Sequence, residues 1–334
     1  MHAVALSLRN GLSSRNVRLR GQAIVEYLLL IGICGLVILF AGPGIWKSIE
    51  NHFGFVANSI ENADGSGTGE DSGSTDPKAD PVNGTAFAVY SADDGSLNLY
   101  KRDRVPAVGD TFNNRKVTAV YTGLDGWNDS SAPWDSIDKS SVETVSCIDE
   151  GIKPKRLEKW FYKFSNLKSV ELSKLNTSNV LSLYGLFMGG DENLQTINGL
   201  ENWDTSRVKN MSCMFWSCSS LRKLNLSRWN TSDVTTFYGA FQGCSALTNI
   251  DISNWDVSNA QNMSFLFFNC STLTTTGDLS SWNTSRIENM ETMFFGCTSL
   301  KTVGDISRWN VANATNKKNM FSNSGITPPS WYKG

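Results

Sequence analysis

The feature that most constrains the fold of this chain is a sequence motif repeated from Leu167 to Phe321. Each copy after the first carries a tryptophan, at steps of 28, 26, 26, 27 and 27 residues, and a phenylalanine follows twelve residues later. The recurring pairs are Leu175 and Phe187, Trp203 and Phe215, Trp229 and Phe241, Trp255 and Phe267, Trp282 and Phe294, and Trp309 and Phe321. Because one such unit is too small to bury its apolar face alone, the sequence predicts a solenoid of stacked units.

Each unit begins with alternating apolar residues and ends with apolar residues at a wider spacing. The alternation predicts a short strand in which Leu224 and Leu226 point inward. The Asn/Asp-Thr-Ser triplet after the tryptophan is typical of a turn and offers a helix N-cap, at Ser206, Ser232 or Ser285. The residues that follow the triplet have helical spacing and predict a short helix or 3₁₀ turn. The predicted fold class is therefore α/β, with short parallel strands and short helices or 3₁₀ turns.

The amino-acid sequence of the repeats resembles that of one bacterial family. The segment Asn-Trp203-Asp-Thr-Ser-Arg-Val-Lys-Asn-Met-Ser-Cys-Met-Phe215-Trp-Ser-Cys-Ser-Ser-Leu is similar to the BspA-like leucine-rich repeat surface proteins. The likeness recurs in unit after unit, and the repeat period extends back to Val142. The resemblance implies a leucine-rich repeat solenoid over residues 142–334, displayed at the bacterial cell surface.

The N-terminal residues have the pattern of a membrane-directed segment. Residues 1–21 are basic, contain no acidic residue and are predicted to be a leader. The uncharged stretch from Tyr27 to Trp46 would span roughly 30 Å as a helix. Residues 22–60 are therefore predicted to form a single N-terminal transmembrane, pilin-like helix, with the arginines of the leader keeping the N-terminus cytoplasmic.

The segment Gly21-Gln22-Ala-Ile-Val-Glu26-Tyr27 resembles the cleavage motif of prepilins, in the form found in the Flp pilins of the tight-adherence (Tad) system. The resemblance implies that a prepilin peptidase cuts between Gly21 and Gln22 and that the chain joins other pilus subunits. A carboxylate near the lipid boundary needs a partner. In such an assembly the partner of Glu26 would be the amine of Gln22 on a neighbouring subunit. An uncleaved signal anchor and a cleaved secretory signal are the alternatives.

Two regions connect this segment to the repeats. Residues 61–84 are rich in Gly, Ser and acidic residues, which predicts a disordered linker. Residues 85–141 are predicted to form a β-rich cap. They contain a hairpin around the Asp-Gly turn at 94–95 and a third strand at 117–121. This region also resembles the lead-in of BspA-like proteins and is expected to cover the open edge of the solenoid. At the opposite end, Trp331 is expected to cover the last unit.

Composition argues against several classes of function. A formal net charge of -2 and a pI near 5.8 do not indicate the excess of positive charge that is typical of nucleic-acid-binding proteins. The two histidines, His2 and His52, precede the repeats, which removes histidine bases and histidine metal sites from the ectodomain. We therefore predict no catalytic residue, no metal, no cofactor and no enzymatic activity. The cysteines that recur once per unit predict a buried thiol column rather than a disulfide framework. They are Cys218, Cys244, Cys270 and Cys297.

Two sets of residues remain candidates for ligand recognition. The tryptophans could stack on sugars, but they occupy an inward position, which favours packing in the core. The outward positions of the strands vary between units and lie about 4.8 Å apart from one unit to the next. Solenoids bind partners with such surfaces, although a merely solvated face fits the same pattern. The candidate ligand-binding residues are Ser169, Glu171, Lys223, Asn225, Asn249 and Asp251.

These features together predict a cell-surface adhesin. A pilin-like subunit, anchored by a single membrane pass or assembled in a pilus, would display an extracellular repeat domain that binds a protein or glycan on a host or neighbouring cell. The alternative is a minor pilin or pilus assembly component without a foreign ligand. The expected partners are the prepilin peptidase, pilus subunits, the membrane and the extracellular ligand, with no nucleic acid.

Overall fold

The computed structural model of the protein describes residues 84–189 and 193–333. All of them belong to the unit Thr75–Gly334. The predicted leader at 1–21, the pilin-like helix at 22–60 and nearly all of the predicted linker lie outside the described residues. Within the described part of the chain, no helix has the length and apolar character needed to cross a bilayer.

The described residues begin with a six-stranded sheet, in the order β5-β1-β2-β6-β7-β8. A separate two-stranded sheet pairs β3 with β4. Antiparallel pairs connect β5, β1 and β2, whereas the pairs from β2 to β8 are parallel. The strands are β1 Thr85–Ser91, β2 Ser96–Arg102, β3 Thr111–Phe112, β4 Arg115–Lys116, β5 Ala119–Thr122, β6 Thr144–Cys147, β7 Ser169–Glu171 and β8 Ile197–Asn198.

The predicted hairpin and third strand are confirmed. Strand β1 pairs with β2 around Gly95, which has φ +64 and lies so close to Ser141 that a Cβ would be 2.8 Å from its carbonyl oxygen. The carboxylate of Asp94 accepts a hydrogen bond of 3.1 Å from the backbone N–H of Ser96. Glycine and a side-chain acceptor at these two positions explain why the chain reverses here.

The edge of the first repeat strand is covered as the sequence predicted. Strand β2 lies parallel to β6, with Leu97 opposite Val145 and Leu99 opposite Cys147. The Arg102 guanidinium forms a 2.9 Å ion pair with the buried carboxylate of Asp149. Because that carboxylate also accepts a hydrogen bond from the backbone of β2, its desolvation is compensated.

Each unit has two limbs, which we call the strand limb, containing β6, β7, β8 or their equivalents, and the return limb, which follows the tryptophan position. The sequence predicted a short strand in every unit, and this is wrong beyond β8. Beyond β8 the strand limbs show single bridges, from Asn249 to Thr275 to Thr302. The return limbs also bridge in parallel, unit to unit, through Arg156, Ser182, Asn210, Thr236, Asn262, Asn289 and Asn316.

The return limb contains a pair of turns where the sequence predicted a short helix or 3₁₀ turn. In one unit, Gly239 and Gly243 have φ values of +56 and +73, and in the preceding unit Cys213 and Ser217 have +56 and +63. An α-helix requires φ near -63° at every residue, so two left-handed residues four positions apart cannot belong to one. The predicted α/β class is therefore wrong. Within the described ranges the helical segments are the 3₁₀ turns Lys139–Ser141 and Leu200–Asn202.

Hydrogen bonds between units replace those that a helix would form internally. The N–H of Phe241 donates to the carbonyl of Leu266 at 3.0 Å, and the N–H of Gly243 donates to that of Phe268 at 2.7 Å. The N–H of Gln242, between them, closes a turn onto Gly239 at 3.1 Å. Backbone polar groups must find partners when they are buried. Here alternate residues find them in the next unit.

The phenylalanine and tryptophan positions form buried columns, as predicted. The rings of Phe215 and Phe241 stack at 5.8 Å, and those of Trp203 and Trp229 at 6.1 Å. The indole N–H of Trp229 donates to the carbonyl of Leu200 at 2.8 Å. A stacked aromatic pair adds about 0.5–1.5 kcal/mol beyond the area that it buries. These columns therefore stabilise the stack along its whole length.

The ends of the columns and the cysteines also agree with the sequence. Trp331 stacks on Trp309 at 6.3 Å and so covers the last unit. The thiols of Cys218, Cys244, Cys270 and Cys297 are buried and form no disulfide with one another. The thiol of Cys244 donates to the carbonyl of Phe215 at 3.1 Å. Burial raises the pKa of Cys297 to about 12, so this thiol is unreactive in the folded chain.

Substitutions at the left-handed positions distinguish a turn pair from a helix. Gly243→Ala would place a Cβ 3.5 Å from Ser217, an ordinary contact. The turn pair therefore predicts a loss of about 1–2 kcal/mol in the free energy of unfolding, from the left-handed conformation alone. A helix predicts a gain of about 1 kcal/mol from the same change. Denaturant unfolding of the full chain measures the sign.

The matched control for this substitution is Ser217→Gly, at the equivalent position one unit earlier. Glycine relieves the left-handed strain of Ser217, so we expect the stability to stay the same or to rise slightly. If Gly243→Ala stabilises the chain while Ser217→Gly destabilises it, the return limb is helical and this description is incorrect.

Candidate functional site

The six candidate ligand-binding residues lie in the strand limbs, in two columns. We call Ser169, Lys223 and Asn249 the first outward column and Glu171, Asn225 and Asp251 the second outward column. The processing residues Gly21, Gln22, Glu26 and Tyr27 lie outside the described residues. The structure therefore bears on the strand-limb candidates alone.

The second outward column is engaged in local turns. The Asp251 carboxylate accepts hydrogen bonds from the N–H and hydroxyl of Ser253, at 3.1 and 2.7 Å. The Asn225 amide oxygen accepts one from the Ser227 hydroxyl at 3.0 Å. Similarly, the Glu171 carboxylate accepts one from the N–H of the residue two positions later, at 2.9 Å. These side chains hold the turn that ends each strand limb.

The first outward column is available to a ligand. Ser169, Lys223 and Asn249 are all exposed. Val170 and Ile250, the neighbours of the first and last, are buried in the core. Of the six candidates, these three combine exposure with side chains that the turns do not use. Sequence alternation identified both columns, but the serine two residues after each member of the second column is the signal that separates them.

The polar triplet after each tryptophan has a different role from the predicted helix cap. The carboxylate of Asp204 accepts hydrogen bonds from the N–H and hydroxyl of Ser206, at 3.0 and 2.7 Å. Asn230 and Asn283 make the same turns with Ser232 and Ser285. The predicted N-caps at these three serines are therefore wrong. The side chain that holds the turn is two residues earlier, and a turn rather than a helix follows.

These hydrogen bonds shift the titration of the aspartates. The hydrogen bond from the Ser206 side chain, and then the one from its backbone N–H, lower the pKa of the Asp204 carboxyl below its usual value. The equivalent bonds from Ser258 lower the pKa of Asp256 in the same way. Both carboxylates therefore stabilise the fold in their charged form.

Two open polar depressions lie on the described surface, away from the outward columns. One, with a volume of about 470 Å³, is lined by Gln261, Arg286, Glu288, Asn313 and Thr315. The other, with a volume of about 660 Å³, is lined by Trp127, Asn128, Asp129, Ser130 and Arg156. Each set contains a single carboxylate. No cluster of three or more side chains suited to a metal ion occurs within residues 84–189 and 193–333.

The fold and surfaces define a stacked-repeat solenoid with an N-terminal β-cap. Two overlapping matches, at residues 155–276 and 239–327, relate the chain to the family described as "Mycoplasma protein of unknown function, DUF285". They cover just over half of the 334 residues. The chain belongs to this family. The assignment supports the resemblance of the repeats to BspA-like proteins and is consistent with a surface protein.

A search of curated proteins found no match to the sequence. A solved structure of a leucine-rich repeat protein from Eubacterium ventriosum is 13% identical, with a TM-score of 0.19. Their likeness covers 75% of this chain and 96% of that protein.

The aspartate turns predict a specific acid dependence. A carboxyl with a lowered folded pKa adds stability above its unfolded pKa, and this stability is lost as the pH falls through the folded value. We expect the free energy of unfolding to decrease below about pH 4. The double variant Asp204→Asn, Asp256→Asn retains the acceptor oxygen, as Asn230 does in its own unit. It should match the parent at pH 7 and lose less stability in acid.

Chemical denaturation at pH 7, 4 and 2.5 measures this difference. The control is Asp103→Asn, which removes an exposed carboxylate outside the turns and should leave the acid dependence of the parent in place. Equal acid dependence in the double variant and the parent would show that the turn aspartates do not contribute.

Proposed function

We propose that this chain is a surface adhesin whose repeat domain binds a protein or glycan ligand outside the cell. The observation that carries the proposal is the contrast within each strand limb. The first outward column changes from Ser169 to Lys223 to Asn249, although its inward neighbours Val170 and Ile250 stay apolar and buried. Because core packing does not determine the outward residues, their identities can change to suit a ligand without disturbing the fold.

The N-terminal sequence supports a route to the surface. The motif from Gly21 to Tyr27 stands directly before an apolar stretch and resembles a prepilin processing site. In this proposal a prepilin peptidase releases Gln22 as the mature N-terminus. Residues 22–60 then associate with the membrane or with pilus subunits, and residues 61–84 separate them from the repeat domain.

The chemistry of the described surface favours binding over catalysis. Hydrolysis of a glycoside normally uses two carboxylates on either side of the scissile bond. Each of the two depressions contains one, Glu288 or Asp129. Both histidines of the sequence precede the described residues. We propose no enzymatic activity, no cofactor and no nucleic-acid partner.

Attachment to host or neighbouring cells tests the proposal. We expect the double variant Lys223→Ala, Asn249→Ala to reduce attachment of cells that display the full chain by about tenfold, since a few residues carry most of a binding energy. Its thermal stability should not change, because both side chains are exposed. The matched control is Lys116→Ala, which removes an exposed lysine from β4.

A chain lacking residues 142–334 sets the baseline of the same assay. Attachment that persists without the repeats would contradict the adhesin proposal. Cross-links from the repeat domain that lead only to pilus subunits would favour the alternative, a minor pilin or assembly component.

A further inference from the structure

The return limbs carry a second surface that has no role in the adhesin proposal. Large apolar side chains there are half-buried, in contrast to the fully buried columns beside them. They lie outside the hydrophobic core of the stack. We call this surface the aromatic wall, and it consists of Tyr184, Met188, Trp216, Tyr238, Phe265, Phe268 and Phe295.

The turn pairs explain why these side chains face outward. Within each return limb, a left-handed residue is followed by two buried residues, one outward residue and a second left-handed residue, as from Phe265 to Asn269. Hydrogen bonds then align the outward residues of successive units. The N–H of Gly189 donates to the backbone carbonyl of Trp216, and the N–H of Asn269 donates to that of Phe295, both at 2.7 Å. The outward residues therefore form one line, in which Gln242 lies between Trp216 and Phe268, and they repeat about every 4.8 Å.

The middle of the wall is free of charge. Between Met188 and Phe268 the residues of the turn pairs that reach the surface are uncharged, namely Gly189, Ser217, Gln242 and Gly243. Interface cores are depleted of charge and enriched in tyrosine, tryptophan, phenylalanine and methionine. The left-handed glycines, which have no side chain, let another backbone approach closely.

The orientation of the rings favours a protein over a sugar. Phe268 and Phe295 stack at 5.1 Å with planes 11° apart, so each ring covers a face of the other. Tyr238 and Phe265 pack edge to face at 5.6 Å. A sugar stacks on an open ring face, whereas the outward ring edges here offer an apolar surface for packing.

Charged residues at the ends of the wall indicate what kind of surface the partner presents. At the N-terminal end the ammonium groups of Lys159 and Lys163 lie over the rings of Tyr184 and Tyr162, at 5.7 and 5.1 Å from their centroids. At the other end the exposed Lys318 aligns with Glu291 of the preceding unit, so that end carries both signs of charge. A second copy in the same orientation would place the N-terminal lysines against each other, which is unfavourable. An acidic border on the partner would complement the lysines.

We propose that the aromatic wall docks a folded protein that presents an apolar patch bordered by acidic side chains. This inference rests on the proposed function, because it makes the extracellular ligand of the adhesin a protein. Trp216 is its central anchor, since tryptophans in the middle of an interface carry the largest share of binding energy. The lysines orient the partner.

Site-specific photocross-linking in the full chain tests the proposal. The probe is p-benzoylphenylalanine in place of Phe268, on cells that display the chain and are mixed with the cells to which they attach. We expect a protein adduct whose cross-linked peptide, sequenced by mass spectrometry, lies in an apolar patch with neighbouring aspartates or glutamates. The same probe in place of the exposed Lys116, in β4, should not yield that adduct.

Two variants test the proposed roles of Trp216 and Lys163. Trp216→Ala should lower the adduct yield about tenfold or more, and Lys163→Glu should lower it severalfold, in the same direction as added salt. Thermal unfolding of each variant shows whether it is folded. If Trp216→Ala unfolds the chain, Phe295→Ala at the edge of the wall replaces it and should reduce the yield.

The inference is overturned if the adduct at Phe268 is a second copy of this chain or a glycan, if no adduct forms, or if folded wall variants retain the parental yield. Attachment that depends on the repeats but not on the wall would overturn this inference alone. Attachment without the repeats would overturn the proposed function itself.

Discussion

Backbone hydrogen bonds between successive units are the interaction on which the rest of this structure depends. In each return limb alternate N–H groups, such as those of Phe241 and Gly243, donate to the following unit. A unit without a neighbour would leave these groups without partners, at a cost comparable to a lost hydrogen bond for each one. The stack therefore needs a cover at both ends. Strand β2 covers the edge of the first strand limb, and Trp331 covers the tryptophan column of the last unit.

The same bonds set the spacing of everything inside. Units held in register align their phenylalanines, tryptophans and cysteines into columns, and each tryptophan reaches back to a carbonyl of the preceding unit, as Trp229 does to Leu200. Trp282 is an exception, because its indole N–H is buried without a hydrogen-bond partner. An extra Gly277-Asp278 pair lies in the limb just before it. We interpret the unsatisfied N–H as a local consequence of that insertion.

The sequence predicted the repeat, the buried columns and the capping hairpin because each depends on one strong local signal. It did not predict the return limb correctly. The apolar residues there have a helical spacing, and two consecutive turns bury the same residues. Glycines four residues apart, as at Gly185 and Gly189, indicate the turns, but the next unit has Cys213 and Ser217 in those places. A left-handed cysteine is not recognisable from sequence.

The candidate site was predictable to a similar extent. Alternation separated inward from outward residues, so the exposed positions of Ser169, Lys223 and Asn249 followed from the pattern. The engagement of Asp251 with Ser253 did not, because it depends on how the chain turns after the strand. The aromatic wall escaped sequence reasoning for the same reason. A predicted helix would have placed Trp216 and Phe268 on an ordinary amphipathic surface, whereas the turn pairs place them in one line of outward residues.

Removal of one unit tests the central claim that the units stack in register. Deletion of residues 221–246 brings Leu247 to the place of Leu221, so the columns close again with one member fewer. Deletion of residues 221–233 removes Trp229 and retains Phe241, so the register is lost. Thermal unfolding followed by circular dichroism should show a cooperative transition for the whole-unit deletion, at a lower temperature than the parent, and none for the half-unit deletion. If both deletions unfold the chain, or both leave it folded, the units do not depend on one another in the way described.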